Sequence, residues 1–450
     1  MCAAVAAVSS VVRPEGSCIV DRVVRLGLLG CGTVGGGVAT ILAREVDDIT
    51  ARTGAKLEIT RIAVRDIGKD RGPALAGASV TTDPMEVVEA TDVDVIVEVM
   101  GGRQPAGDLI RRALGLGKPV VTANKELVAH EGAELYAAAR AAGVDLAYEA
   151  AVAGAIPIIK PMKESLAGDH VQRVVGILNG TTNYILTRMT EEGADYEEVL
   201  GDAQALGYAE ADPTADVGGH DAAAKCAILA SLAFDTTVRQ EDVFTAGIGS
   251  VTATDIRVAD RLGYVIKLLG IASVVDDRVG VRVHPAFLPK THPLAAVRGS
   301  YNAVFIQARA AGELMFYGPG AGAEPTGSAV VGDIIDVARN LLQTARGAAE
   351  SQHRPMEIRP IEELTTQYYV LLDVEDRAGV LAQVATVLGD HDVSIAQVWQ
   401  EGHGDSAQLV LVTHQAREGN LRATVDALDG VSSVRNVASV LRVESEVFGS

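Results

Sequence analysis

Two side chains pose the chemical question. Asp221 and Lys225 stand four residues apart, so a helix would place them on one face. From residue 222 to 234 the chain reads AAAKCAILASLAF, and the lysine is its only charge. A helix that is apolar all round is buried, and a buried ammonium persists only if paired or if its pKa falls, by as much as about 3 to 5 units. An amine in that state trades protons near neutrality, as general acid–base catalysis requires. On an exposed helix the same pair is an ordinary surface salt bridge, so the reading turns on burial. Just upstream, GYAEADPTADVGG supplies Glu210, Asp212 and Asp216. Those carboxylates could fix a substrate ammonium, orient the lysine or cap helices; Asp212, before Pro213, reads as structural.

A second constellation is Gly30-Cys31-Gly32-Thr33-Val34-Gly35, a GxGxxG run directly after the apolar VVRLGLL. In a strand-turn-helix setting the first glycine allows the tight turn, the second lets backbone approach a pyrophosphate, and the third lets helix and strand pack closely. The helix N-terminus then faces the anion. At the end of the next strand RIAVRDIGKDR offers Arg65, Asp66 and Lys69. The cations suit the 2′-phosphate of NADP and the aspartate suits a free ribose hydroxyl, so the reading leans to NADP with NAD left open. Ligands of such sheets lie beyond the carboxyl ends of the strands, where Gly101, Gly102 and the Asn124–Lys125 pair of ANKE fall. An alcohol that leaves a hydride on a nicotinamide must also lose its hydroxyl proton, which gives a lysine of depressed pKa a task.

These groups need scaffolds. Near-continuous apolar strands at LEITRIAV, DVDVIVEVM, KPVVTA and VDLAYEA alternate with helices from residue 23 to 150, the pattern of a parallel sheet covered on both faces. The expected class is α/β: a Rossmann-type dinucleotide domain (23–150, completed by a helix at about 325–345) after a loose tail at 1–22. An α+β catalytic and oligomerisation domain follows at 151–320, where SVVDDRVGVRVHPAFL reads as strand. Residues 345–364, charged and proline-containing, read as a linker. Residues 365–450 show a βαββαβ order, the ferredoxin-like one, expected as a separate domain.

Bulk properties narrow the partners. The chain has 450 residues, 48% hydrophobic and 22% charged, so it should fold. Its net charge of −20 argues against binding a nucleic-acid backbone and for small-molecule ligands. Cys2, Cys18, Cys31 and Cys226 form no CxxC pair and no cluster with histidine, which points to a reducing cytoplasm rather than a disulfide or zinc scaffold. No apolar run of about 18 residues suggests a membrane span.

The run A-x3-G-Y-A-E-A-D-P-x2-D-V-x-G-x-D-x3-K, residues 203–225, closely resembles the signature of homoserine dehydrogenases. LGLLGCGTVGGGV, VEVMGG, KPVVTANKELVA, YEAAVAGAIPII, GILNGTTNYIL and YGPGAGAEPTGSAV extend the likeness over all but the first 20 or so residues, and the C-terminal part is similar to ACT regulatory modules. The resemblance implies reversible, NAD(P)-dependent oxidation of L-homoserine to L-aspartate 4-semialdehyde in threonine, methionine and isoleucine synthesis. No aspartate kinase portion is apparent, so a monofunctional enzyme is expected, as a homodimer or homotetramer.

By position, the resemblance makes Lys225 the proton donor and acceptor with Asp221 beside it, and Glu210 the holder of the substrate amine or hydroxyl. Lys125 would touch cofactor and substrate together. Thr33, Val34, Gly207 and Gly322, the last in a second glycine loop GPGAG, would contact the dinucleotide. It also implies a structural sodium ion on Glu149 and the carbonyls of Val152, Gly154 and Ile156; the residues alone read YEAAVAGAIP as a helix start. DRAGVL, with Asp376 and Gly379, resembles an ACT effector site, and threonine, made from homoserine, is the expected effector. Two other readings remain: an ACT-containing 2-hydroxy-acid dehydrogenase, which wants a histidine-centred site that the C-terminal helices do not supply, and a non-catalytic nucleotide and amino-acid sensor, which gives Lys225 no purpose.

Overall fold

The computed structural model describes residues 22–69, 71–348, 350, 354–403 and 407–444. The expected tail, apart from Arg22, lies outside them, as do Cys2 and Cys18.

The first unit holds strands β1 (Val23–Leu29), β2 (Lys56–Ala63), β3 (Ser79–Thr81), β4 (Val95–Glu98), β5 (Val120–Thr122) and β6 (Leu146–Ala147). Between them run helices α1 (Thr33–Arg44), α2 (Val46–Thr53), α3 (Pro84–Glu89), α4 (Ala106–Gly115) and α5 (Lys125–Ala142). The strands are all parallel in the order β3-β2-β1-β4-β5-β6, with the reversal between β1 and β4. That reversal is where a doubly wound sheet opens a crevice for a ligand. EGAELYAAARAAG is only the later part of α5, which starts at Lys125 because the Asn124 side chain accepts the Leu127 N–H at 3.1 Å and caps it.

The middle of the chain carries β7 (Val171–Ile177), α6 (Gly180–Glu192), α7 (Tyr196–Ala205), α8 (Thr214–Val217), α9 (His220–Ala233), β8 (Phe244–Thr245) and α10 (Ala253–Arg261). It continues with β9 (Tyr264–Val275), β10 (Arg278–Pro289), β11 (Tyr301–Ala308), β12 (Gly312–Pro319) and α11 (Ala323–Gln343). The segment read as one strand through VVDDRV is instead a hairpin of β9 and β10. Asp276 and Asp277 both adopt positive φ, 53° and 57°, which suits a two-residue turn between twisted strands. Helix α11 returns to lie on α1, and the contact is backbone to backbone. A Cβ on Gly37 would fall 2.1 Å from the Ala323 carbonyl oxygen, and one on Gly327 would fall 3.0 Å from the backbone at Gly37.

The last elements are β13 (Glu357–Ile358), β14 (Thr365–Val374), α12 (Val380–Asp390), β15 (Ile395–Glu401), β16 (Gln408–Thr413), β17 (Ala416–Arg417), α13 (Glu418–Leu428) and β18 (Val434–Val443). β13 lies within the segment 345–364, and the C-terminal unit, which keeps a core of its own, also joins the sheet of the middle of the chain. One sheet runs β12-β11-β7-β9-β10-β18-β14-β16-β15. The edge of β10 away from β9 is tiled in turn by β13 at Arg278–Val279, β8 at Arg282–Val283 and β18 at Ala286–Phe287. The physical reason is the unpaired edge of a twelve-residue strand, whose amides and carbonyls need partners. At the join Phe287 stacks on Tyr369 at 4.7 Å between ring centroids, and Tyr369 Oη donates to Asp255 at 2.8 Å.

Candidate active site

The glycine turn is built as its spacing requires. Gly30 has φ 95°, and a Cβ there would sit 2.9 Å from the Met100 backbone. A Cβ on Gly35 would lie 2.6 Å from the Gly30 carbonyl oxygen, whereas one on Gly32 would meet nothing within 4 Å. The first and third glycines therefore serve packing, and the middle one leaves room in front of the α1 N-terminus, which begins at Thr33 and Val34. A cavity of about 480 Å³ opens there, lined by Gly30, Gly32, Arg65, Lys69, Arg71 and Met100 among others. Asp66 lines the same cavity, and its Oδ1 accepts the Gly68 N–H at 2.8 Å. Arg65 is exposed and in no ion pair among the described residues. Arg71, which the sequence reading passed over, reaches back to the carbonyl of Lys69 at 2.7 Å.

Across the crevice, the fully buried Glu98 ties two loops together. Its Oε1 accepts the N–H groups of Met100 (2.9 Å) and Gly101 (3.1 Å), and its Oε2 accepts the Thr122 hydroxyl at 2.6 Å. Asn124 adds a bond from Nδ2 to the Gly102 carbonyl at 2.7 Å. These contacts set the start of α5 and hence Lys125.

Helix α9 brings the second half of the site. Lys225 is 8% exposed, and Ala222, Ala223, Ala224, Cys226 and Ala227 around it are buried. Its Nζ donates to Asp221 Oδ2 at 2.7 Å and to the Leu178 carbonyl at 2.8 Å. Lys125 Nζ lies 2.5 Å from Asp221 Oδ1, so one carboxylate joins the two lysines. Asn179, another residue not singled out from sequence, donates from Nδ2 to Asp221 Oδ2 at 2.9 Å and to Asp216 Oδ1 at 2.7 Å. Thr181 Oγ1 bonds Asp216 at 3.1 Å and the Tyr208 carbonyl at 2.7 Å.

The electrostatics follow from this arrangement. Burial pushes the Lys225 ammonium below its ordinary range; Asp221 opposes that shift, and neighbouring Lys125 reinforces it. Burial works against the charge of Lys125 too, but there Asp221 outweighs it and the net shift is upward. Burial alone would raise Asp221, yet the two lysines hold it far below the usual carboxylate range. The site is thus a fixed anion, a fixed cation and one amine whose burial makes its proton easier to lose. As a neutral amine Lys225 has two N–H groups, enough for Asp221 and Leu178, and a lone pair left over to take a proton from a hydroxyl.

Glu210 and Gly207 sit on the exposed loop after α7 and are not brought into this cluster. Gly207 has φ 77°, and the Glu210 carbonyl accepts from Gln204 Nε2 at 3.1 Å. Asp212 is structural: its Oδ1 accepts the Thr214 N–H at 3.1 Å and its hydroxyl at 2.6 Å. Gly322 stands at the N-cap of α11 with φ 121°.

Glu149 ends neither a strand nor a regular helix but lies in a 3₁₀ turn, Glu149–Ala151. Its carboxylate caps the next helical segment, accepting the N–H groups of Ile158 (2.6 Å), Ile159 (2.7 Å) and Lys160 (2.9 Å). Asp333 of α11 accepts the Glu149 N–H at 2.8 Å, and burial raises its pKa to about 7. Ala153 and Gly154 both have φ 57°, and the carbonyls of Val152, Gly154 and Ile156 accept none of the backbone bonds found among the described residues. Among those residues no cluster of three His, Cys, Asp or Glu side chains could hold a metal, and no helix is long and apolar enough to cross a membrane. In the C-terminal unit Gly379, φ 90°, is the N-cap of α12, and Asp376 Oδ1 accepts from Gln400 Nε2 at 3.1 Å.

A parallel sheet with a phosphate-binding turn at its switch point, facing a buried lysine–aspartate–lysine cluster, defines a nicotinamide-nucleotide-dependent oxidoreductase. Residues 30–149 match the family model described as the homoserine dehydrogenase NAD-binding domain, residues 157–335 that of homoserine dehydrogenase, and residues 368–432 that of the ACT domain. A homoserine dehydrogenase of Mycobacterium tuberculosis is 50% identical over 435 residues, covering 94% of this chain and 98% of that protein. The crystal structure of a homoserine dehydrogenase from Thiobacillus denitrificans superposes with a TM-score of 0.90 at 41% identity, covering 94% of this chain and 98% of that one. A hyperthermophilic archaeal homoserine dehydrogenase in complex with NADPH superposes at 0.61 and 29% identity, over 70% of this chain and 97% of that one. The chain belongs to the homoserine dehydrogenase family.

Proposed function

We propose that the protein catalyses the reversible oxidation of L-homoserine to L-aspartate 4-semialdehyde with NADP as its preferred nucleotide. The observation that carries this reading is the buried Lys225, held by Asp221 and the Leu178 carbonyl, whose burial favours the neutral amine that can take a proton. A bound nicotinamide would supply the hydride acceptor for the carbon bearing the hydroxyl. Lys225 takes the hydroxyl proton, and its protonated form returns one to the carbonyl oxygen in the reverse direction. Asp221 keeps the amine oriented and offsets the charge it gains. Lys125, already charged, holds Asp221 as an anion and stands at the α5 N-terminus, where it can meet both cofactor and substrate. Glu210, whose carboxylate accepts no hydrogen bond from the described residues, is left to receive the substrate ammonium.

Gly30, Gly32, Thr33, Val34 and Gly35 are assigned to the pyrophosphate, with Gly207 and Gly322 completing the dinucleotide site. Arg65, together with Lys69 and Arg71, favours a 2′-phosphate, as does the NADPH complex of the archaeal relative. Steady-state NADP reduction by L-homoserine, with Lys225→Ala as the control, tests the assignment. Tight nucleotide binding without turnover, or turnover only with a 2-hydroxy acid, would overturn it.

Three finer readings accompany it. A sodium ion would be held by Glu149 and the carbonyls of Val152, Gly154 and Ile156, buried oxygens of the kind that hard cations take; stability in sodium against tetramethylammonium buffers checks it. Threonine is read as the effector at the ACT turn of Asp376 and Gly379; loss of threonine inhibition in Asp376→Ala with unchanged basal turnover is expected. Association into a homodimer or homotetramer is read from β12, an exposed edge strand showing Met315 and Tyr317, and light scattering measures it. The free Cys31 and Cys226 fit a cytoplasmic setting.

A further inference from the structure

The seam between the middle and C-terminal parts of the long sheet encloses a cavity of about 480 Å³. Strands β7, β9 and β10 line one side with Arg173, Ser273, Gly280 and Arg282, and the segment 359–367 lines another with Arg359. Glu444, which follows β18, closes it and is its only acidic lining residue among the described residues. Two guanidiniums thus hold that carboxylate, while Arg359 donates from Nη2 to the Glu363 carbonyl at 2.6 Å and lies 3.7 Å from its carboxylate. Arg173 Nη2 holds Glu444 Oε2 at 2.8 Å, and Arg282 Nη2 holds Oε1 at 3.0 Å. Nearby His284, buried and kept neutral by that burial, adds no charge.

Donors are left over. Arg282 is 6% exposed, lines the cavity, and its Nε is buried without a hydrogen-bond partner, as is the Nε of Arg359. Buried polar groups are nearly always paired, and an idle guanidinium N–H at a cavity wall marks a position for an acceptor. The planar fork of an arginine matches a carboxylate. The volume lies within the usual range for small-molecule sites, about 300 to 1,000 Å³, and exceeds what a bare inorganic anion fills. Gly280 keeps one wall open, since a Cβ there would meet only Ser273 atoms at 3.8 Å and beyond.

We propose that this cavity is a second ligand site, separate from both the catalytic crevice and the ACT turn, and that it takes a small organic carboxylate on Arg282 and Arg359. Neither Asp376 nor Gly379 lines it, nor does any residue of the Lys225 cluster, so the proposal stands independently of the catalytic reading. It lies on the strand that supports the reacting amine: β7 carries Arg173, and Leu178 directly after it holds Lys225.

Calorimetric titration of the full chain with succinate, and with inorganic phosphate beside it, tests the site. Saturable succinate binding is expected, weakened about tenfold or more in Arg282→Met, the scale of a lost charge-assisted hydrogen bond. Because Arg282→Met also strips a partner from Glu444, Gly280→Leu serves as the second variant; it fills the cavity, keeps every charge and should abolish binding. Absence of saturable succinate binding in the wild type, unchanged affinity in Gly280→Leu, or binding of phosphate in preference to succinate would each overturn the assignment.

Discussion

Lys125 and Lys225, one hundred positions apart, share the carboxylate of Asp221, the first on Oδ1 at 2.5 Å and the second on Oδ2 at 2.7 Å. One comes from the nucleotide-binding unit and the other from the middle of the chain, so the cluster forms only when both are docked. The two lysines are not equivalent. Lys225 is the more deeply buried and its pKa moves down, while that of Lys125 moves up.

Replacing Lys225 by methionine should lower kcat by about 100 to 10,000-fold, the usual worth of general acid–base assistance, with a far smaller change in nucleotide affinity. Stopped-flow turnover and fluorescence titration of the reduced nucleotide separate the two. A loss below tenfold would mean that another group moves the proton.

The pH profile should carry the signature of burial. Oxidation needs the neutral amine, so its rate rises with pH through the Lys225 pKa, and because burial lowers that pKa the limb lies below the ordinary lysine range. Asp221 is a contribution that raises it. Asp221→Asn therefore lets the pKa fall further and moves the limb to lower pH, along with reducing the plateau. A limb displaced upward would contradict the assignment of the titrating group.

Nucleotide preference should rest on cations at the end of β2. Arg65→Ala and Arg71→Ala are each expected to raise KM for NADP by about tenfold, the worth of one charge-assisted contact, with little change for NAD. Equal effects on both nucleotides would place these arginines outside the 2′-phosphate site.

Adjacent glycines in α1 should behave oppositely. Gly37→Ala forces a methyl to 2.1 Å from the Ala323 carbonyl oxygen and should lower stability by about 1 to 3 kcal/mol while weakening nucleotide binding. Gly36→Ala meets nothing within 4 Å and should stabilise by about 0.5 to 1 kcal/mol through helix propensity. Thermal denaturation of the two single variants gives the comparison directly.

What could be read from sequence was whatever depends on local order. The glycine turn follows an apolar strand and opens a helix, and Lys225 stands alone among apolar neighbours, so both were visible in a few residues. Asn179, Glu98 and Arg71 were not. A neutral amide, an acid in an apolar strand and an arginine in a charged loop acquire meaning only from partners distant in sequence: Asp221, Thr122 and the cavity before Gly32. Strand β9 was obscured because YVIKLLGIASVV, apolar apart from Lys267 and Ser273, reads equally as buried helix. The seam of β10 with β18 joins residues more than 150 positions apart, and no local pattern signals such a pairing.

That seam bears on how the C-terminal module can be studied. A chain stopped before residue 365 would lose the partner of Ala286 and Phe287 and strip the Phe287 ring of Tyr369. It would present fresh strand edge and an uncovered aromatic, the ingredients of intermolecular adhesion. The ACT domain is therefore also a dressing on the catalytic sheet, and clumping of a truncated protein would say nothing about its control by metabolites.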